Sequence, residues 1–161
     1  MPTNLCLIVI YITSVSCVRA TTVQIQFLSG KYYSDYLVSK WTGDCGKCLL
    51  KDCGFYPGDV EHLLSSSCPA LSPYLQENLK RSLYSVEDFP DLFRIVKTAF
   101  DEGPSVWCSL LVDPSTYPPL IRYMQLFGSS SIYPVMKLCR SYIWCMHRTR
   151  KRLQQMQNYV T

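Results

Sequence analysis

Asp88-Phe-Pro-Asp-Leu-Phe-Arg-Ile-Val-Lys-Thr-Ala-Phe-Asp-Glu-Gly-Pro104 decides the fold class. Phe89, Leu92, Phe93, Val96 and Phe100 recur at three- and four-residue spacing, so a helix gathers them on one face. Asp88 and Pro90 are start signals. A carboxylate accepts from first-turn amides, and proline presets φ where no amide needs a partner. Gly103-Pro104 stops the helix.

The same grammar repeats on both sides of this stretch. Ser72-Pro73 opens a helix with Leu75, Leu79 and Leu83 at i, i+4 and i+8. Residues 59–64 predict a short helix ending at Ser65-Ser-Ser67, and residues 105–111 another, ended by Asp113-Pro114. Tyr117-Pro-Pro119 opens a further one, with Leu120, Ile121, Met124 and Phe127 inward. Pro134 starts the last, with Val135, Leu138, Cys139, Tyr142, Ile143 and Met146 on one face. The N-terminal region reads differently. Residues 22–27 alternate, with Val23, Ile25 and Phe27 on one side, which predicts a strand. Residues 31–41 place Tyr33, Leu37 and Trp41 on a helical stripe. The expected class is mainly α: one small disulfide-stapled helical domain over residues 21–161, with one or two short N-terminal strands.

Residues 5–17 form an apolar run too short to cross a bilayer of ~30 Å but suited to a signal-peptide core. Val18-Arg19-Ala20 supplies small or β-branched residues at −3 and −1 for cleavage after Ala20. Residues 1–20 therefore read as a signal peptide and the product as secreted. At 48% apolar and 17% charged, the chain is too hydrophobic for disorder. Only His62 and His147 are available as imidazoles, and neither sits in a catalytic motif. The phosphate-binding glycine signatures are absent. No enzyme activity, cofactor or metal is expected from these counts.

Removing the leader takes Cys6 and Cys17 and leaves Cys45, Cys48, Cys53, Cys68, Cys108, Cys139 and Cys145. In an oxidising compartment such density predicts a disulfide framework, and an odd number leaves one thiol buried or available to a partner chain. A second reading starts a zinc site at Cys45-x₂-Cys48-x₄-Cys53, completed by Cys68 or His62. A third is redox chemistry. Trp41-Thr-Gly-Asp-Cys45-Gly-Lys-Cys48 is similar to the thioredoxin active-site stretch, which implies a reactive thiolate at a helix N-terminus.

Cys45-x₂-Cys48 near one end and Cys139-x₅-Cys145 after Tyr133-Pro134 near the other resemble the outer cysteine pairs of saposin-like domains. That resemblance implies nested Cys45–Cys145 and Cys48–Cys139 bonds, Cys68–Cys108 inside them, and lipid binding. The cysteines together with Cys68-Pro69 and Cys139-Arg140 are also similar to divergent secretory-pathway kinase-like proteins. No His-Arg-Asp or Asp-Phe-Gly triplet follows, so kinase activity is not implied.

Charge is unevenly spread. Residues 21–113 carry eight Lys/Arg against twelve Asp/Glu, whereas residues 114–161 carry seven Lys/Arg and no acid. Arg148, Arg150, Lys151 and Arg152 form a dense basic tail on the last helix, expected to be wet or paired with another molecule. The function expected is that of a secreted cysteine-rich effector, ligand or accessory subunit. It would bind a protein, anionic glycan or anionic lipid surface rather than nucleic acid; the alternative is a saposin-like lipid-binding module.

Overall fold

The computed structural model describes residues 18–160. The expected leader lies outside them except for Val18-Arg19-Ala20. No strand occurs among the described residues, and the mainly α class holds. In chain order the helices are α1 (Val18–Leu28), α2 (Asp35–Thr42), α3 (Val60–Leu64), α4 (Ser72–Ser82), α5 (Tyr84–Glu87), α6 (Pro90–Glu102), α7 (Pro104–Val112), α8 (Pro118–Phe127) and α9 (Tyr133–Val160). Two 3-10 turns, Pro114–Thr116 and Ser129–Ile132, flank α8.

The proline and glycine punctuation operates as expected. Proline sits in the first two positions of α4, α6, α7 and α8, while Gly103 at φ 123° separates α6 from α7. Asp59 caps α3 by accepting from His62 N at 3.0 Å, and Ser34 caps α2 by accepting from Leu37 N at 3.2 Å.

α9 is the spine, touching α1, α4, α5 and α7. Its predicted inward face, Val135 to Met146 at helical spacing, is buried throughout. Trp107 of α7 meets Tyr142 of α9 edge to face with ring centroids 5.7 Å apart, and both are buried among Leu63, Leu64, Leu71, Leu75 and Leu110. The Tyr142 hydroxyl donates to Leu64 O at 3.0 Å, tying the spine to α3.

Of the two N-terminal expectations, one fails and one holds in part. The predicted strand at 22–27 is part of α1. Val23 and Phe27 satisfy both a two-residue and a four-residue spacing, and Ala20 and Gln24, buried beside them, settle the helical period. Ile25, which a strand would have placed inward, is exposed. Gln24 is tied down by Arg140, whose guanidinium donates to Oε1 at 2.6 Å. α2 forms as predicted, but Tyr33 and Trp41 are exposed and pack on each other rather than on the core. In α8, Leu120 is buried whereas Phe127 is exposed.

No two of the seven cysteines among the described residues lie at disulfide distance, and each stands as a free thiol. The nested pairing implied by the saposin resemblance is not what the fold assembles. Cys48 lies with Cys68, their sulfurs 4.0 Å apart, and Cys139 is buried with its thiol toward Leu110 O at 3.6 Å.

Candidate functional site

Two places gather chemistry. The first is the loop between α2 and α3 with the segment that follows α3. Residues 43–59 have no helix of their own, so backbone hydrogen bonds must be found locally. Cys48 N donates to Phe55 O at 2.9 Å, Gly54 N to Cys48 O at 3.2 Å, and Gly58 N to Gly46 O at 2.9 Å. The loop is thereby folded back on itself. A Cβ at Gly58 would stand 2.6 Å from Cys48 N, so only glycine allows the two strands of the loop to approach this closely.

That closure brings Cys48 and Cys53 to His62 on α3 and Cys68 beyond it. The three sulfurs and one ring nitrogen all lie within 4.8 Å of one another. Cys53 Sγ is 3.3 Å from His62 Nε2. His62 Nδ1 is 2.9 Å from Ser67 Oγ, and the imidazole stacks on Phe55 with centroids 4.6 Å apart. Cys48, His62 and Cys68 are buried, with Cys53 half-buried.

Nearby backbone amides, of Leu50 at Cys48, Phe55 at Cys53 and Ala70 and Leu71 at Cys68, favour the thiolate form of each sulfur. The Cys48 and Cys68 sulfurs are 4.0 Å apart and either can donate to the other. With the proton on Cys48, that contact lowers the pKa of Cys68 and raises that of Cys48. Burial pushes Cys53 up. Cys45 stands outside the cluster and is exposed, so both His62 and Cys68 join Cys48 and Cys53 instead. No helix begins at Cys45 or Cys48, which removes the dipole that a thioredoxin-like thiolate requires. The expectation that this chain holds no metal ligand set is the one these four residues argue against.

The second place is the basic stretch of α9. Arg148 and Arg152 lie over the rings of Trp144 and Tyr74, at 5.9 and 5.4 Å from the centroids. They wall two shallow grooves. One, between α4 and α9, encloses about 1110 Å³ and adds Arg81 and Lys137; among the described residues that line it, Glu77 is the only carboxylate. The other, beside α1, encloses about 730 Å³ and adds Lys151, with no carboxylate among its lining residues.

Arg150 lies at the floor of the second groove rather than on its exposed wall. It is buried, donating toward Asp35 Oδ1 and the Tyr32 hydroxyl, each at 3.4 Å, with its guanidinium 5.5 Å from the Tyr32 ring centre. The expected four-residue basic tail is therefore three exposed cations and one internal ion pair. Burial, with Lys151 and Arg150 nearby, lowers the pKa of His147, whose Nδ1 is 2.9 Å from the Tyr32 hydroxyl. Neither Tyr32 nor Asp35 carries a local sequence signal for this role, since each lies more than a hundred residues from Arg150.

The remaining thiols are isolated. Burial raises Cys108 to about 12 and pushes Cys139 up as well, so both remain protonated. Cys145 lies 3.9 Å from Thr149 Oγ1. Comparison with protein-family models, with curated proteins and with solved structures finds no match to this chain.

Proposed function

We propose that this chain is a secreted helical binding protein, a ligand or accessory subunit, that docks an acidic partner along α9 and acts by binding rather than catalysis. The observation that carries the reading is the pair of grooves walled by Arg148 and Arg152, where the exposed cations face a single carboxylate. Aromatic rings beneath two of the guanidinium groups limit their motion, which lowers the entropy lost when a carboxylate or sulfate is clamped. Arginine suits such partners because its planar fork binds them through two hydrogen bonds at once. The partner class is an acidic peptide face or sulfated glycan.

The test uses Arg148→Gln, Lys151→Gln and Arg152→Gln combined, with Arg150 retained. Each near-surface cation contributes on the order of 1 kcal/mol against an anionic surface, so the triple change removes about 3 kcal/mol at low salt. On a heparin column the variant elutes earlier than the parent, and the gap narrows as salt screens the interaction beyond a Debye length of about 8 Å. Equal retention of the two proteins at low salt sinks the proposal.

A further inference from the structure

We propose that Cys48, Cys53, His62 and Cys68 together bind one structural zinc ion, through three thiolates and the Nε2 of His62. The proposal stands apart from the acidic-partner reading and shares no residue with it.

Geometry is the main argument. Zinc–sulfur bonds of about 2.3 Å and zinc–nitrogen bonds of about 2.0 Å, at tetrahedral angles, require sulfur–sulfur edges near 3.8 Å and sulfur–nitrogen edges near 3.6 Å. The Cys48–Cys68 edge is 4.0 Å and the Cys53–His62 edge 3.3 Å, with every other edge below 4.8 Å. Side-chain adjustments of about 1 Å per edge close the tetrahedron. A Cys48–Cys68 cystine would instead bring two sulfurs to about 2 Å and leave Cys53 and His62 buried against each other with no shared ligand.

The surroundings match the same chemistry. In the tautomer where Nδ1–H donates to Ser67 Oγ, the Nε2 lone pair is free and the ring is held in orientation. The backbone amides of Leu50, Phe55, Ala70 and Leu71 near the three sulfurs favour negative charge there. As the ion binds, any protonated ligand thiol releases its proton to solvent. Three thiolates around a divalent cation leave one net negative charge, which those amides offset. Sulfur and imidazole donors favour zinc over calcium or magnesium, which take oxygen. Four protein ligands in a buried pocket fill the coordination sphere and leave no position for a reacting water, so the ion is structural. It would clamp the 48–58 loop onto α3, whose Leu63 and Leu64 are core residues.

The experiment takes the full chain, purified without chelator, and measures metal by elemental mass spectrometry beside a non-reducing peptide map. The expected result is one zinc per chain, with Cys48, Cys53 and Cys68 recovered as thiols. Cys45→Ser keeps the metal, while Cys53→Ser and His62→Gln each lower zinc occupancy at least tenfold at a fixed competing-chelator concentration. If those variants do not fold, the wild-type chain stripped and reloaded with Co²⁺ provides the readout. Intense visible bands and a thiolate charge-transfer band mark a tetrahedral sulfur-rich site. A folded chain with no bound metal and a Cys48–Cys68 cystine overturns the proposal. So does full zinc occupancy in folded Cys53→Ser, or Co²⁺ uptake without a thiolate band.

Discussion

Replacing Arg150 with Gln tests whether the basic tail is one surface or a surface plus an internal clamp. The Arg150 side chain is 4% exposed and that of Asp35 is 13%, so the pair is screened little by solvent. Removing one partner of a buried ion pair costs about 3–5 kcal/mol, because the survivor keeps its desolvation penalty without its counterion. Two features pull the value down. The 3.4 Å separation is longer than the optimum for a charged hydrogen bond, and Asp35 keeps the Leu49 amide, which donates to its other oxygen at 2.9 Å. One feature pulls it up: the guanidinium over Tyr32 is lost too, worth about 0.5–1 kcal/mol or more when desolvated.

The expected loss is about 3 kcal/mol. With a urea m-value of about 2 kcal/mol/M, the unfolding midpoint falls by about 1.5 M at unchanged m. Arg148→Gln, an exposed change on the same helix, moves stability by no more than about 0.5 kcal/mol. Adding Asp35→Asn to Arg150→Gln recovers part of the loss, with a coupling of about 1–3 kcal/mol, since the orphaned carboxylate is then neutral. A midpoint for Arg150→Gln indistinguishable from that of Arg148→Gln would refute the reasoning.

Other perturbations probe separate parts of the molecule. Gly58→Ala forces a Cβ to within 2.6 Å of Cys48 N, so the loop must open; expected are a loss of about 2 kcal/mol or more and faster alkylation of Cys48 in the native protein. Leu64→Ala leaves a cavity where a side chain is fully buried, costing about 2–5 kcal/mol and lowering Tm by several degrees, against no change for Leu126→Ala on the exposed face of α8. His147 has a folded-state pKa below its ordinary value of about 6.5, with Tyr32, Arg150 and Lys151 facing it. The unfolded chain therefore takes up the proton first, and this contribution is complete above about pH 6.5 and is lost as pH falls through the depressed value. Chemical denaturation at pH 5 and pH 7 should show a smaller pH dependence in His147→Gln than in the parent; an identical slope would remove His147 as the cause.

Much of the helical plan is local and was readable as such. Pro90, Gly103, Pro104 and Asp59 act on the amides and dihedrals beside them, so helix limits follow from neighbouring residues. The inward face of α9 follows from its period alone. Where two periods coincide, as at Val23 and Phe27, local reading chose a strand; burial of Ala20 and Gln24 against α9 decided for the helix. The cysteine spacing contained both cystines and a zinc site as options, because a thiol's fate depends on what lies beside it after folding. Closure of the 46–58 loop over Gly58 put Cys48 and Cys53 against His62 and Cys68 and left Cys45 in solvent. Arg150 looked like its neighbours in a basic run. Only the packing of residues 32–35 against α9 gave it a half-buried carboxylate, a contact 115 residues apart that no local pattern encodes.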